Sequence, residues 1–412
     1  MQESTFEAGE GIRPRLTLGL LAAQHALIHG QSALYPLVYL AVIDEFGVTP
    51  ATIVILSTIG SLASGLLQYA FGALTRLVSR RTLLGVGGLV VGVGTALQAA
   101  ASSFTPFAAA NIVSRVGGAP QHPVGNAMLA EQFPQTRIGS AIAVHVAGGN
   151  IGTVAIGLTA ALAIATLGWR GAVLALGLAA LVFGVAILLL VREAPSTEAA
   201  HGPVRSLYRE AIADRNLQWV FVTSVLGGGS RGLGVLNIFV PLYLDQALHL
   251  DHGTIGLMYG VLLAASVPGP LVAGWLSDRL GRKPVIIGVY LAGAASLALF
   301  VAAGSNPFWL WVGIAALSVS SFVESPQLQA LLADLAPRRL RDAAFSTYFA
   351  LAFGVGSLWG FVYSLVIDAG GQGSGLGLVF WLMAGASIAA AITTTRIRIP
   401  EGRPGAEKPL AA

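Results

Sequence analysis

The chain has 412 residues, 55% of them apolar and only 10% charged, with a formal net charge of +4 and no cysteine. Soluble domains carry roughly a quarter charged residues, so this composition excludes a soluble globular protein and makes the bilayer the solvent. The positive charges fall in short separated clusters, which excludes a nucleic-acid partner, and the lack of cysteine excludes disulfides and thiolate metal sites.

A spanning helix needs about 20 predominantly apolar residues. Twelve candidate stretches follow in order: 17–43, 51–75, 82–101, 105–129, 139–165, 171–191, 217–243, 254–276, 284–303, 308–333, 343–367 and 376–396. Their uninterrupted length suits helices rather than the alternating strands of a barrel. Residues 1–16 read as an amino-terminal tail, with Arg13 and Arg15 ahead of a retained anchor rather than a cleaved signal peptide. A first bundle spans 17–191 and a second 217–396. Between them 192–216, with Pro195, Pro203 and four arginines, is a linker in which 205–212 reads as a surface helix. The tail 397–412 contains Pro400, Pro404 and Pro409 among charges and reads as disordered.

Placing the amino terminus in the cytoplasm puts 20 of the 23 Lys and Arg residues in cytoplasmic segments, with Arg115 and Arg231 inside helices and Arg170 outside. Asp44, Glu45, Asp245, Asp251 and Asp368 then fall in external loops, and both termini are cytoplasmic. Rows of small residues, Gly148 with Gly152 and Ala352 with Gly356 and Gly360, allow close helix approach.

Ionisable groups inside the spans are costly in lipid and mark functional positions. In the first helix His25 and His29 are one turn apart, on a face with Ser32 and Pro36, and Tyr35 follows. Two imidazoles there suit proton relay, substrate contact or interhelical hydrogen bonding. An H-x-x-x-H pair can also hold a metal, but no carboxylate or thiolate accompanies it in that helix, so no metal is expected. In the fourth helix Arg115, Gly118, His122 and Asn126 make one polar stripe broken by Pro120 and Pro123. There His122 also has a structural reading, satisfying a carbonyl freed by the prolines. His145 precedes the glycine run of the fifth helix. Arg231 sits mid-span after Gly227, Gly228, Gly229 and Ser230, and Glu324 lies at similar depth before Pro326.

Substrate contact is expected from His25, His29, Tyr35, Arg115, His122, Asn126, Arg231, Asn237 and Tyr348, the arginines compensating an anionic group. Proton coupling is expected from Glu324, His29 and His122. Glu324 is equally readable as a permanent counter-ion for an arginine. No nucleophile triad, di-metal ligand set or phosphate-cradling loop accompanies these groups, so an enzyme is not expected, nor any cofactor or ATP as energy source. A non-transporting receptor or scaffold would call for enlarged soluble loops, which the sequence lacks.

The chain also repeats itself. Residues 274–284, GWLSDRLGRKP, have a worn twin 202 positions earlier at 72–82, GALTRLVSRRT, and the same offset pairs His29-Gly30 with Arg231-Gly232 and Thr52-Ile53 with Thr254-Ile255. In the second turn Gly274, Asp278, Arg279, Gly281, Arg282 and Lys283 form a charged cluster able to latch one conformation. In the first, Arg76 stands where Asp is expected and Ser79 replaces Gly. This turn resembles the signature loop of the major facilitator superfamily. The resemblance covers essentially the whole chain and implies an all-helical membrane protein of two pseudo-symmetric six-helix bundles, working by alternating access.

A narrower resemblance rests on His25 and His29 before Tyr35-Pro36, Leu66-Leu67-Gln68, GGAPQHPVG at 117–125 and GGNIG at 148–152. Together they resemble the fosmidomycin resistance transporters. Gly125 and Asn126 fall in a variable part of that motif, and Ala155, Ile156 and Gly157 stand where Gly-Pro usually follows. The resemblance implies an inner-membrane exporter driven by protons, acting on a small, often anionic, toxic compound. Proton-coupled uptake of an organic anion uses the same charges in reverse. The implied partners are a small molecule, protons and the lipid bilayer, with the chain a monomer.

Overall fold

A computed structural model describes residues 12–75, 77–134, 137–193, 204–370 and 372–399. Arg76, most of both termini and part of the linker lie outside the described residues. The fold is all-helical. The first helix, α1, runs Pro14–Phe46 with Pro36 inside it and ends at Gly47, whose left-handed φ of 62° closes the helix. Then come α2 at Pro50–Leu74 and α3 at Arg80–Ala99. The fourth span, α4, is split into Phe104–Gly118 and Gln121–Gln132 because Pro120 has no N–H to continue the ladder. One helical run, Ile138–Leu190, is broken at Gly168 (φ 68°, ψ 164°) into α5 before it and α6 after it.

In the second half α7 comprises Arg215–Gly227, a turn at Gly228–Ser230, a wide turn at Gly232–Leu236 and Asn237–Gln246. His252–Ala264 and Pro268–Leu280 make α8, and Arg282–Ala302 makes α9. Pro307–Ser320 and Glu324–Leu335 make α10. The eleventh span, α11, passes from Arg341–Phe349 through a wide turn at Ala350–Gly354 to Leu358–Gly370, and α12 is Gln372–Thr395. Among the described residues nine helices are long and apolar enough to cross a membrane unaided, and the two arms of α7, bent by 41°, form a tenth crossing. Dividing the long run at Gly168 and joining the arms of α4 gives twelve spans in two bundles of six. The linker carries a helix at Val204–Ala213, over the stretch expected at 205–212.

The two bundles are packed together unevenly. The largest buried cluster contains Tyr39, Phe107 and Trp169 from one half and Phe239, Tyr259 and Phe380 from the other. Its residues run from the Asp44 and Asp245 loops to mid-span. Toward the basic turns the clusters separate, Leu84 and Met128 in one and Ile286 and Tyr348 in another, each confined to a single half. The halves are therefore sealed on the acidic-loop side and parted on the basic-turn side.

Between the halves α2 and α11 touch backbone to backbone at Gly65 and Gly354, where a Cβ on Gly65 would lie 2.5 Å from the Gly354 nitrogen. Without a hydrophobic drive in lipid, such approach supplies the packing that holds helices together. The predicted Gly148 and Gly152 row serves the same purpose inside one half, against the α1 carbonyls of Ala22 and Ala26.

The basic turns act within their own halves. Gly281 takes φ 93° to turn the chain from α8 into α9. Asp278 pairs with Arg282 at 3.0 Å, and Arg282 also reaches Asp334 at 3.2 Å and Ser277 at 2.7 Å. Lys283 Nζ donates to the Thr395 and Ile397 carbonyls, and Arg279 lies over Trp275. A Cβ on Gly274 would meet only Gln327 at 3.9 Å, so no close approach depends on that glycine in this conformation. In the first half Arg80, 202 positions before Arg282, pairs with Glu131 at 2.6 Å, near the end of α4 as Asp334 is near the end of α10. The same ion pair thus recurs in both halves.

Candidate functional site

A cavity of about 210 Å³ lies at mid-depth between the halves. Its walls come from the polar faces of α1 and α2 and from three places where regular helix is interrupted: the break in α4 and the wide turns of α7 and α11. Of the expected substrate residues, His29, Tyr35, Arg115, His122, Arg231 and Asn237 line it. His25, Asn126 and Tyr348 do not, and Glu324 lies behind Arg231.

Arg115 occupies the last turn of the first α4 segment, where the carbonyl end of a helix favours a cation. Its Nε donates to Asn111 Oδ1 at 3.2 Å, Nη1 to Ser61 Oγ at 3.1 Å, and Nη2 to Tyr39 OH and Ser57 Oγ at 3.3 Å each. All four acceptors are neutral. No ion pair among the described residues involves Arg115, so its charge is held in place without being cancelled. A Cβ on Gly60 would strike the Arg115 side chain, so that glycine makes room for it. Ser57, Gly60 and Ser61, at helical spacing on α2, are site residues that the sequence flags only as small polar residues in a span. Below them Gln31 donates to Tyr35 OH, Thr95 Oγ1 and Ser114 Oγ, and Gln98 donates to Tyr35 OH at 2.8 Å, fixing the phenol at the wall.

Arg231 is a different kind of cation. Its Nε donates to Glu324 Oε1 at 2.7 Å, Nη1 to the Ala352 carbonyl and Nη2 to the Ser224 carbonyl at 3.0 Å. Arg231 and Glu324 are only 6% and 5% exposed, and Tyr290 OH donates to the second carboxylate oxygen at 3.2 Å. The broken helices explain the arrangement: the wide turn of α11 presents Ala352 O, and the break in α10 leaves Ser321 O, which accepts from Gly232 N at 3.0 Å. Sequence alone gives Arg231 a role toward an anion; in this conformation a protein carboxylate holds it. Tyr348 is fully buried in the cluster with Tyr290 rather than at the cavity.

Asn237 joins the halves. Its Oδ1 accepts from Gly234 N at 2.8 Å, steadying a glycine at φ 105°, and its Nδ2 donates to the Ser32 carbonyl of α1 at 3.3 Å. Tyr259 OH adds a second bridge to Ala33 O at 2.8 Å.

On the amino side four imidazoles gather. His25 lies 4.4 Å from His29, 4.7 Å from His122 and 4.5 Å from His145, centroid to centroid. His29 and His122 face the cavity, His122 stacking on Phe349 of the other half, while His25 and His145 lie behind them. The repeat connects this cluster with the ion pair: Arg231 stands 202 positions after His29, and Glu324 opens the second segment of α10 as Gln121, the neighbour of His122, opens that of α4.

Two six-helix bundles around a polar chamber at mid-depth define a multi-pass membrane transporter rather than an enzyme. The chain belongs to the Major Facilitator Superfamily, whose family model matches residues 20–361 and 230–412. It is 27% identical over 360 residues to a fosmidomycin resistance protein of Escherichia coli (strain K12), covering 85% of this chain and 86% of that one. It is 25% identical over 301 residues to a probable L-galactonate transporter of the same organism, covering 67% of this chain and 66% of the relative. Among solved structures, a nucleoside transporter superposes with a TM-score of 0.78 at 14% identity, over 94% of this chain and 100% of that one. A D-xylose-proton symporter superposes with a TM-score of 0.75 at 15% identity, over 94% of this chain and 99% of that one.

Proposed function

We propose that the protein is a proton-coupled transporter of a small organic anion, embedded as a monomer in a bacterial inner membrane with both termini in the cytoplasm. The uncancelled charge of Arg115 at the cavity wall carries this reading. A half-buried cation surrounded by neutral oxygens binds an entering carboxylate or phosphonate by exchanging weak partners for an ionic one. The similarity to an L-galactonate transporter, named for a carboxylate, agrees with an anionic cargo. The positive turns set the orientation, and the parted side then opens to the cytoplasm.

Coupling follows from the Arg231 and Glu324 pair. While Glu324 is ionised, Arg231 is neutralised. A proton on Glu324 abolishes that attraction and leaves Arg231, already part of the cavity wall, as a second cation for the anion. Proton and anion therefore favour each other's binding, and co-loading drives uptake down an inward proton gradient. A second reading, efflux of a toxic compound in exchange for protons, is supported by the similarity to a fosmidomycin resistance protein and by the amino-half motifs it shares.

Reconstituted vesicles with an imposed pH step and a panel of phosphonates and carboxylates distinguish these readings. Co-transport accumulates anion in vesicles that are acidic outside, and exchange accumulates it in vesicles that are acidic inside. Equal movement under either gradient removes proton coupling, and movement of cations alone removes the anion.

A further inference from the structure

We propose that His25, His29 and His122 form a binding site for a divalent transition-metal ion of the zinc, nickel and copper class, with its fourth position open to the central cavity. The proposal stands apart from the transport direction and from the anion. The first helix by itself offers two imidazoles and no third ligand. The fold supplies the third: the α4 break at Pro120 starts a new segment at Gln121, and its second residue, His122, meets the pair on α1. One ring nitrogen from each of the three can be chosen so that all lie within 4.8 Å of one another. Tetrahedral zinc holds imidazole nitrogens at about 2.0–2.1 Å, hence about 3.4 Å from each other. Small side-chain rotations close that gap.

The nitrogens are also prepared for a metal. His25 Nδ1 lies 2.9 Å from the His145 carbonyl. A carbonyl can only accept, so Nδ1 carries the hydrogen and Nε2 presents its lone pair. That Nε2 is buried and has no hydrogen-bond partner among the described residues. The residue is 1% exposed. At His29 the Thr153 hydroxyl donates to the Gly149 carbonyl at 3.2 Å, leaving its oxygen to accept from His29 Nδ1 at 3.5 Å. Both rings thus offer Nε2 and anchor Nδ1 in a second shell, the arrangement that orients metal-bound histidines. Neutral imidazoles with no hard oxygen ligand favour zinc, nickel and copper over magnesium or calcium. A divalent ion on three neutral ligands keeps its full charge, and His29 and His122 both line the chamber, so water or an anion's oxygen completes the shell there.

The test is zinc binding to the purified full-length protein in metal-free detergent buffer, by calorimetry and X-ray absorption. One zinc per chain is expected, in the micromolar range or tighter, with nitrogen scattering near 2.0 Å and an imidazole pattern. The His29→Gln and His122→Gln variants should each bind at least about tenfold more weakly. A control variant, His249→Ala with His252→Ala, removes the exposed imidazole that pairs with Asp245 at 3.3 Å and should bind as the parent does. If a cavity variant misfolds, the zinc-induced rise in the unfolding temperature of the parent and its loss in His25→Gln give the same answer. Absence of stoichiometric binding, or binding lost only in the surface variant, overturns the proposal.

Discussion

The two halves place different chemistry in corresponding regions of the cavity. In the amino half His29 and His122 leave the cavity wall without a carboxylate, and Arg115 beside them keeps its charge among neutral oxygens. In the carboxy half Arg231 and Glu324 neutralise each other under a tyrosine. The duplicated scaffold fixes where polar groups stand, because the break in α4 recurs in α10, but the residue types decide which half presents charge. On the proposed function the amino half receives the anion, and the carboxy half holds a pair that a proton opens.

The comparison breaks most visibly at the pair. Removing the carboxylate with Glu324→Ala strands a buried guanidinium and should cost about 3–5 kcal/mol, whereas Arg231→Met combined with Glu324→Ala recovers most of that loss. Thermal unfolding in detergent reads both, and equal destabilisation of single and double variants would refute the pairing as the source. Next comes Arg115→Ala. It leaves no orphan carboxylate, so stability should change by about 1 kcal/mol, while anion affinity falls roughly tenfold to a hundredfold as charge-assisted hydrogen bonds are lost. Unchanged affinity by calorimetry would move the anion elsewhere.

Much of this was legible in the sequence, for physical reasons. Apolar length forces spanning helices, and the cost of charge in lipid singles out Arg115, Arg231 and Glu324 before any fold is known. What stayed hidden depends on distant partners. Glu131, 51 residues from Arg80, supplies the acid of the first turn, which a search confined to that turn and its Arg76 does not find. Asn126 lies on the same stripe as Arg115, yet it sits a full turn beyond His122, and only the part of the stripe from Arg115 to His122 meets the cavity. The third imidazole beside His25 and His29 is nearly a hundred residues away, and inspecting one helix for ligands could not reveal it.

Smaller effects sharpen the contrast between halves by moving them without touching the charges. Gly65→Leu places a side chain against the Gly354 backbone and should cost this arrangement about 1–3 kcal/mol. Spin-label distances between α2 and α11 should lengthen; an unchanged distribution would mean that this contact does not set the conformation. The least effect is expected on the surface, where Arg339 donates two hydrogen bonds to Glu210 of the linker helix. That hydrogen bonding holds the Glu210 carboxyl below the usual carboxylate range. A depressed carboxylate contributes above its unfolded value and loses its contribution as pH falls through the folded one. The linker helix should therefore stay docked at neutral pH and loosen in acid, with faster amide exchange over 204–213; exchange that is insensitive to acid and to salt would show the pair to be idle.

The account depends most on a proton and an anion loading together. Weakly buffered protein in detergent, mixed with a bound carboxylate or phosphonate in the presence of a pH indicator, should take up about one proton per anion, and the Glu324→Gln variant should take up none. Proton release on anion binding, or uptake that persists in that variant, would contradict it.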